Sequence, residues 1–223
     1  MENPLRPDLD PDSDPDLGPD FALIETMLWT PGGIRHRARH MARLARSAKH
    51  FGIAPVGVDA ALDAVNGAGP LRLRLAVDAA GQPSVTAVPF DTAPPGTRWR
   101  AALHPQRVEA SDPWLAHKTT RRALYDRARA ELPGGIDEFL FLNHGGALAE
   151  GAITNIYVDT GDGILLTPPR ACGCLPGIGR EVLIAARRAR PARLTPEDLS
   201  GARAIYVGNA LRGLIPADVI SSC

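Results

Sequence analysis

Leu71-Arg-Leu-Arg-Leu-Ala-Val77 alternates apolar and polar residues, and a period of two fits a strand with one buried and one wetted face. The Gly81-Gln-Pro turn and the extended stretch Ser84–Phe90 fold that strand back into an antiparallel hairpin. Phe21–Trp29 reads as another strand, ended by the turn Thr30-Pro-Gly-Gly33. Ile34, Ala38, Met41, Leu44, Ala48 and Phe51 then recur at spacings of three and four, which predicts an amphipathic helix stopped by Gly52. With a short helix over Val58–Val65 and a strand over Trp99–Leu103, these elements make a small α+β unit spanning 21–105.

The second half, 106–223, reads as a helix over Thr120–Leu132 and strands over Phe139–Leu142, Ile153–Val158, Gly163–Thr167 and Ala204–Val207. A helix follows over Arg180–Arg190, and Thr195-Pro-Glu-Asp198 has the N-cap, first-turn proline and acidic residues of a helix start. No internal repeat is visible.

A net charge of zero conceals an asymmetry. Residues 1–20 hold seven acids against Arg6, with five prolines among them, so this segment is expected to be a disordered acidic tail. The remaining 24 bases and 18 acids leave the body at +6, a charge that attracts anionic small molecules. Five Phe, three Tyr and three Trp with no interleaved aromatic and basic motif disfavour nucleic acid. No stretch is long and apolar enough to span a bilayer, and the first residues lack the pattern of a signal peptide. Cys172, Cys174 and Cys223 fit a reducing, cytoplasmic setting, and Cys172-Gly-Cys174 without a second pair reads as packed thiols rather than a metal site.

Lys118, in Trp114-Leu-Ala-His-Lys118, and Glu150, five residues before Asn155, suggest a site for an aldehyde cofactor whose ring nitrogen needs a negative partner. Pyridoxal 5'-phosphate is such a cofactor: a lysine joins it as a Schiff base and a carboxylate keeps its pyridine nitrogen protonated. Alone, the pair could equally be a surface lysine and a loop carboxylate. Arg121 and Arg122 beside Lys118 would lower its pKa. His117 is better read as a packing or hydrogen-bonding residue than as a base. A phosphate needs N–H donors and a cation, and Leu175-Pro-Gly-Ile-Gly-Arg180 is a glycine-containing turn entering a helix. On spacing alone this is also an ordinary tight turn, and Gly208-Asn209 after a strand is a second candidate of the same kind.

The order of Phe21-Ala-Leu-Ile-Glu-Thr26, His40-x-x-Arg43-Leu-x-x-Ser47, Lys118, Glu150-Gly-x-x-x-Asn155, Thr167-Pro-Pro, Leu175-Pro-Gly-Ile-x-Arg180 and Asn209 resembles that of class-IV (fold-type IV) pyridoxal phosphate enzymes over residues 21–220. This family includes branched-chain and D-amino-acid aminotransferases and 4-amino-4-deoxychorismate lyases. The flanks His117–Asp126 and Gly208–Pro216 look most like the lyases, in particular the lyase part fused to aminodeoxychorismate synthase.

The resemblance implies an α+β, two-domain fold of the D-amino-acid aminotransferase type, with the cofactor in the cleft between the domains. It implies Lys118 as the Schiff-base lysine and Glu150 as the partner of the pyridine nitrogen. Arg43, the backbone amides of Ile178 and Gly179, and Asn209 would hold the phosphate. Tyr125, read as two helical turns past Lys118 on one face, would reach the cofactor's phenolate oxygen, and Asn155 would support the ring or the Glu150 loop. Thr26 would donate a proton, and Arg107 and Arg212 would clamp substrate carboxylates.

The implied activity is conversion of 4-amino-4-deoxychorismate to 4-aminobenzoate and pyruvate, a step of folate synthesis. The alternatives are an aminotransferase for branched-chain or D-amino acids and a catalytically silent binding module. A homodimer and an aminodeoxychorismate synthase component are the implied partners. Two departures stand out: the acidic tail replaces a strand that usually opens the family fold, and Gly179 stands where many members carry a threonine hydroxyl.

Overall fold

The computed structural model describes residues 17–220, so most of the expected acidic tail, and Cys223, lie outside the described residues. The described residues begin at Leu17, ahead of the expected boundary at 20. Leu17 packs on the first core, and Phe21 N–H donates to Gly18 O across a turn.

Four strands form the small sheet, in the order β2-β1-β3-β4. They are β1 (Ala22–Thr30), β2 (Gly33–Ile34), β3 (Leu71–Asp78) and β4 (Pro83–Pro89), all antiparallel. Helices α1 (Arg37–His50) and α2 (Val58–Asp63) accompany them. The period-two stretch of β3 buries Leu73, Leu75 and Val77 completely and turns Arg72 and Arg74 outward, as alternation requires. Ile34 is a correction to the sequence reading, because it pairs with Trp29 in the hairpin and the helix starts only at Arg37. Leu23 and Met27 join Leu44 and Ala48 of α1, and Phe51 just after it, in the first core.

The large sheet has eight strands, in the order β10-β9-β8-β11-β12-β5-β6-β7. Their bounds are β5 (Trp99–Leu103), β6 (Glu138–Leu142), β7 (Leu148–Gly151), β8 (Asn155–Asp159), β9 (Leu165–Thr167), β10 (Ala189–Pro191), β11 (Ala204–Asn209) and β12 (Gly213–Ile220). Helices α3 (Ala123–Ala130), α4 (Ile178–Ala185) and α5 (Pro196–Ser200) join them. The strand Trp99–Leu103, assigned from sequence to the small unit, runs parallel to both β12 and β6 inside the large sheet. Long-range parallel pairing leaves no local signature, so the boundary drawn after it is misplaced by that strand.

Three further elements depart from the sequence reading for physical reasons. The helix expected over Arg180–Arg190 stops at Ala185, and Arg187 takes a left-handed turn (φ 57) before β10 pairs with β9. β7, with its Ala, Glu and Gly, has poor strand formers and is fixed by burial on every residue. β12 contains Pro216, which lies one residue before pairing with β5 begins and so is spared one ladder donor. As expected, α5 opens at Thr195, with a capping box to Asp198. Among the described residues no helix is long and apolar enough to cross a membrane.

Candidate active site

Lys118 is positioned by backbone. After the one-turn helix Pro113–Ala116, capped by the Asp112 side chain, the chain runs extended along β1. Ile24 N–H donates to Lys118 O at 2.8 Å and Thr120 N–H to Ala22 O at 2.9 Å. Thr119, between them, is buried, and Lys118 lines a cleft of about 500 Å³, a size suited to a cofactor or small ligand. Burial lowers the Lys118 pKa to about 7, with Arg43 and Arg122 adding to the effect. Arg121, expected to share in this, instead stacks 4.3 Å over the Trp114 ring. Lys49 and Lys118 are the only lysines in the sequence, and Lys49 is exposed at the end of α1.

Glu150 is fixed by β7 and buried in the same cleft. Its Oε1 accepts from Tyr125 Oη at 2.8 Å, and its Oε2 from Leu175 N–H at 3.0 Å. Burial pushes its carboxyl up to about 7, resisted by those two donors and by Lys118 and Arg122. Tyr125 donates its hydroxyl to Glu150, a contact the sequence reading did not assign it. The helix argument for it lapses, since α3 starts at Ala123 and Lys118 is extended. Asn155 Nδ2 donates to Leu175 O at 3.1 Å, so Leu175 is held on one side by Asn155 and itself holds Glu150. A side chain at Gly177 would collide with Asn155 Oδ1.

The segment before α4 leaves free donors. Gly177, its N-cap, makes no side-chain cap, and the Ile178, Gly179 and Arg180 N–H groups have no partner among the described residues. Gly179 has a local reason to be glycine: a Cβ there would lie 3.0 Å from the Asn209 carbonyl carbon and 3.1 Å from Ala210 N. Asn209 reaches the cleft, but its side chain is engaged in the turn after β11. Nδ2 donates to Ile153 O at 3.1 Å, and Oδ1 accepts the Leu211 and Arg212 N–H groups.

Arg43 is buried on α1 and held by a residue to which the sequence assigned no role. Glu25 accepts from Arg43 Nε at 2.8 Å and from its terminal nitrogen at 2.6 Å, while the other terminal nitrogen donates to Pro176 O at 3.1 Å. His40 Nδ1 lies 2.6 Å from the same carboxylate. Period two explains the division of labour on β1: Glu25 turns toward α1 with Leu23 and Met27, while Thr26 faces the cleft. The sequence shows only a lone carboxylate in a strand, on the same face as Leu23 and Met27, which does not announce its partner.

Arg107 and Arg212 also line the cleft. Arg107 donates to Asn143 O at 3.2 Å, and Arg212 lies 5.2 Å from the centre of the Phe90 ring and 5.7 Å from that of Trp99. Sequence reading missed Arg72 and Arg74 at the same opening. His117 packs rather than titrates usefully: it stacks on His50, bonds Ser47 Oγ at 3.0 Å, and is pushed down to about 4 by burial and by the charges of His50 and Arg170. Cys172 and Cys174 are buried free thiols.

These residues fit pyridoxal phosphate. The cleft joins an amine neutralised by burial, a buried carboxylate for a ring nitrogen, and unpartnered amides with a cation at a helix start for a phosphate.

Comparison with known proteins gives the same frame. The profile of the amino-transferase class IV family matches residues 22–220. A candidate amino-acid aminotransferase from Mesorhizobium loti superposes with a TM-score of 0.85 at 40% identity, covering 90% of this chain and 100% of that one. The branched-chain aminotransferase of the archaeon Thermoproteus uzoniensis gives 0.77 at 26%, covering 92% and 80%. A candidate 4-amino-4-deoxychorismate lyase gives 0.72 at 26%, covering 91% and 87%. No curated protein matches.

Proposed function

The chain belongs to the class IV amino-transferase family, whose enzymes depend on pyridoxal 5'-phosphate, and from that premise we propose that it is a 4-amino-4-deoxychorismate lyase. The observation that carries this reading is the lining of the cleft, which includes Arg72, Arg74, Arg107, Arg121 and Arg212, four of them exposed at its mouth. The proposed substrate has two carboxylates, one on the ring and one on the enolpyruvyl arm, and guanidinium groups bind carboxylates bidentately. A branched-chain amino acid offers one carboxylate and an apolar side chain, which such a mouth serves poorly.

The cofactor, when bound, supplies a protonated ring that accepts the electron pair left at the amine-bearing carbon. Lys118, about half neutral at pH 7, takes the proton from that carbon once it is released to act as a base. Glu150, held by Tyr125 and Leu175, keeps the proton at the ring nitrogen. Thr26 faces the cleft from β1 and gives a proton to the enolpyruvyl ether oxygen as its bond to the ring carbon breaks. Loss of the pyruvate arm leaves an aromatic product. A homodimer, working in the cytoplasm beside an aminodeoxychorismate synthase component, belongs to the same proposal.

One observation favours a second reading, a class IV aminotransferase. The Mesorhizobium loti protein, 40% identical, is described as a candidate of that kind. Incubation with 4-amino-4-deoxychorismate separates the two readings. The lyase releases 4-aminobenzoate without an amino acceptor. Absence of 4-aminobenzoate, together with conversion of branched-chain or D-amino acids to keto acids in the presence of 2-oxoglutarate, overturns it.

A further inference from the structure

We propose that His40 is a further ligand of the cofactor phosphate, donating from Nε2 beside Arg43 and the amides that open α4. His40 and Arg43 are three residues apart on α1, so they share one face of that helix, and both line the cleft. Arg43 is the expected cation for the phosphate, yet its charge is already met by the bidentate contact with Glu25, and a third N–H goes to Pro176 O. Glu25 and Arg43 together are neutral. A phosphate dianion placed against them needs another donor.

Glu25 fixes which nitrogen of His40 can serve. Burial alone would push this carboxyl up, but Arg43 and His40 outweigh it and hold it below its usual range. Glu25 is therefore an ionised, acceptor-only group, and His40 Nδ1, at 2.6 Å, must donate to it. That leaves Nε2, which is buried and has no partner among the described residues. A buried ring nitrogen without a partner is uncommon and calls for an explanation. An anion at the inner end of the cleft supplies the missing partner for that nitrogen. Gly179, where a Cβ would press on the Asn209 and Ala210 backbone, offers a phosphate no side-chain donor at the start of α4.

The inference rests on the cofactor and not on the substrate. Two variants separate a phosphate contact from a merely structural role. H40N keeps a donor near the Nδ1 position, and so the link to Glu25, but loses Nε2. H40Q places its amide near the Nε2 position. Affinities of the apoprotein for pyridoxal 5'-phosphate and for phosphate-free pyridoxal are read from quenching of tryptophan fluorescence. A lost hydrogen bond to a charged group corresponds to a roughly tenfold to hundredfold loss. That loss is expected for the phosphate ester in H40N, with pyridoxal affinity unchanged and most of the ester affinity kept in H40Q.

If H40Q loses as much as H40N, or if ester and pyridoxal affinities fall together, the assignment is overturned. Should the variants not fold, nitrogen NMR of His40 in the wild-type protein decides. Pyridoxal phosphate, and not pyridoxal, is expected to move Nε2 to its protonated position, and an unmoved signal overturns the proposal. Wild-type protein that binds neither compound would instead overturn the cofactor assignment itself.

Discussion

At the inner end of the cleft, Glu25, His40, Arg43 and Glu150 are buried, and each is held by at least one other protein group at 2.6 to 3.1 Å. At the mouth, Arg72, Arg74, Arg107 and Arg121 are exposed, and neither they nor Arg212 have an acidic partner among the described residues. On the proposed reading, the inner network would hold the cofactor that every turnover reuses, and the cations at the rim would meet the substrate that comes and goes. The difference follows from cost: an unpaired buried charge is expensive, while an exposed arginine is nearly free and adapts to its ligand.

Removing Glu25 should break the inner network hardest. E25A leaves Arg43 and His40 without their carboxylate, and breaking a buried pair costs about 3–5 kcal/mol. Chemical denaturation of the apoprotein measures this. A loss below about 1 kcal/mol, the range of exposed pairs, would place this network in the same class as the rim.

The next effect is a pH dependence. The Lys118 amine is held down to about 7 rather than near 10.5, so its neutral, reactive form is lost as the pH falls through 7 and is nearly complete above it. The rate at which apoprotein captures pyridoxal phosphate should fall roughly tenfold per unit below pH 7 and level off above it. A rate still climbing between pH 8 and 10 would mean that Lys118 titrates like a surface lysine.

Tyr125 tests the second buried carboxylate. Its hydroxyl stabilises ionised Glu150, so Y125F should raise that pKa further above 7 and destabilise the fold by about 1–3 kcal/mol where the carboxylate is charged. Melting at pH 8 should therefore suffer more than at pH 6, and equal losses would argue against the charged contact. The smallest effect belongs to the rim. R107A should raise KM for a dicarboxylate substrate by roughly tenfold or less, with little change in melting temperature, since an exposed charge contributes little to stability. A large loss of stability in R107A would erase the contrast between the two ends.

Legibility in the sequence follows the same division, with local signals readable and long-range ones not. Lys118 and Glu150 were suggested by residue type, and the turn before α4 by its glycines, each beside an ordinary alternative, while Arg43 came only with the family resemblance. The β3 alternation and the Thr195 start of α5 were read from residues within one turn or hairpin. The sheet membership of Trp99–Leu103 and the early end of α4 depend on pairing with distant segments, whereas Leu148–Gly151 pairs with nearby β6 but has poor strand formers. Tyr125 was selected, but its reach was argued from a helix that begins five residues after Lys118, and its contact with Glu150 was not foreseen. Glu25 escaped a role because a lone carboxylate in a strand says nothing of the arginine eighteen residues on that neutralises it.

The central claim is that a buried, half-neutral Lys118 is the residue that takes the cofactor. Adding pyridoxal 5'-phosphate to the apoprotein, reducing with borohydride and mapping the label by peptide mass spectrometry tests it directly, because the sequence offers only Lys49 as a competitor. The account predicts a visible absorbance band before reduction and one pyridoxyl group on the peptide containing Lys118, both lost in K118A. Label on Lys49, or no label at all, would contradict it.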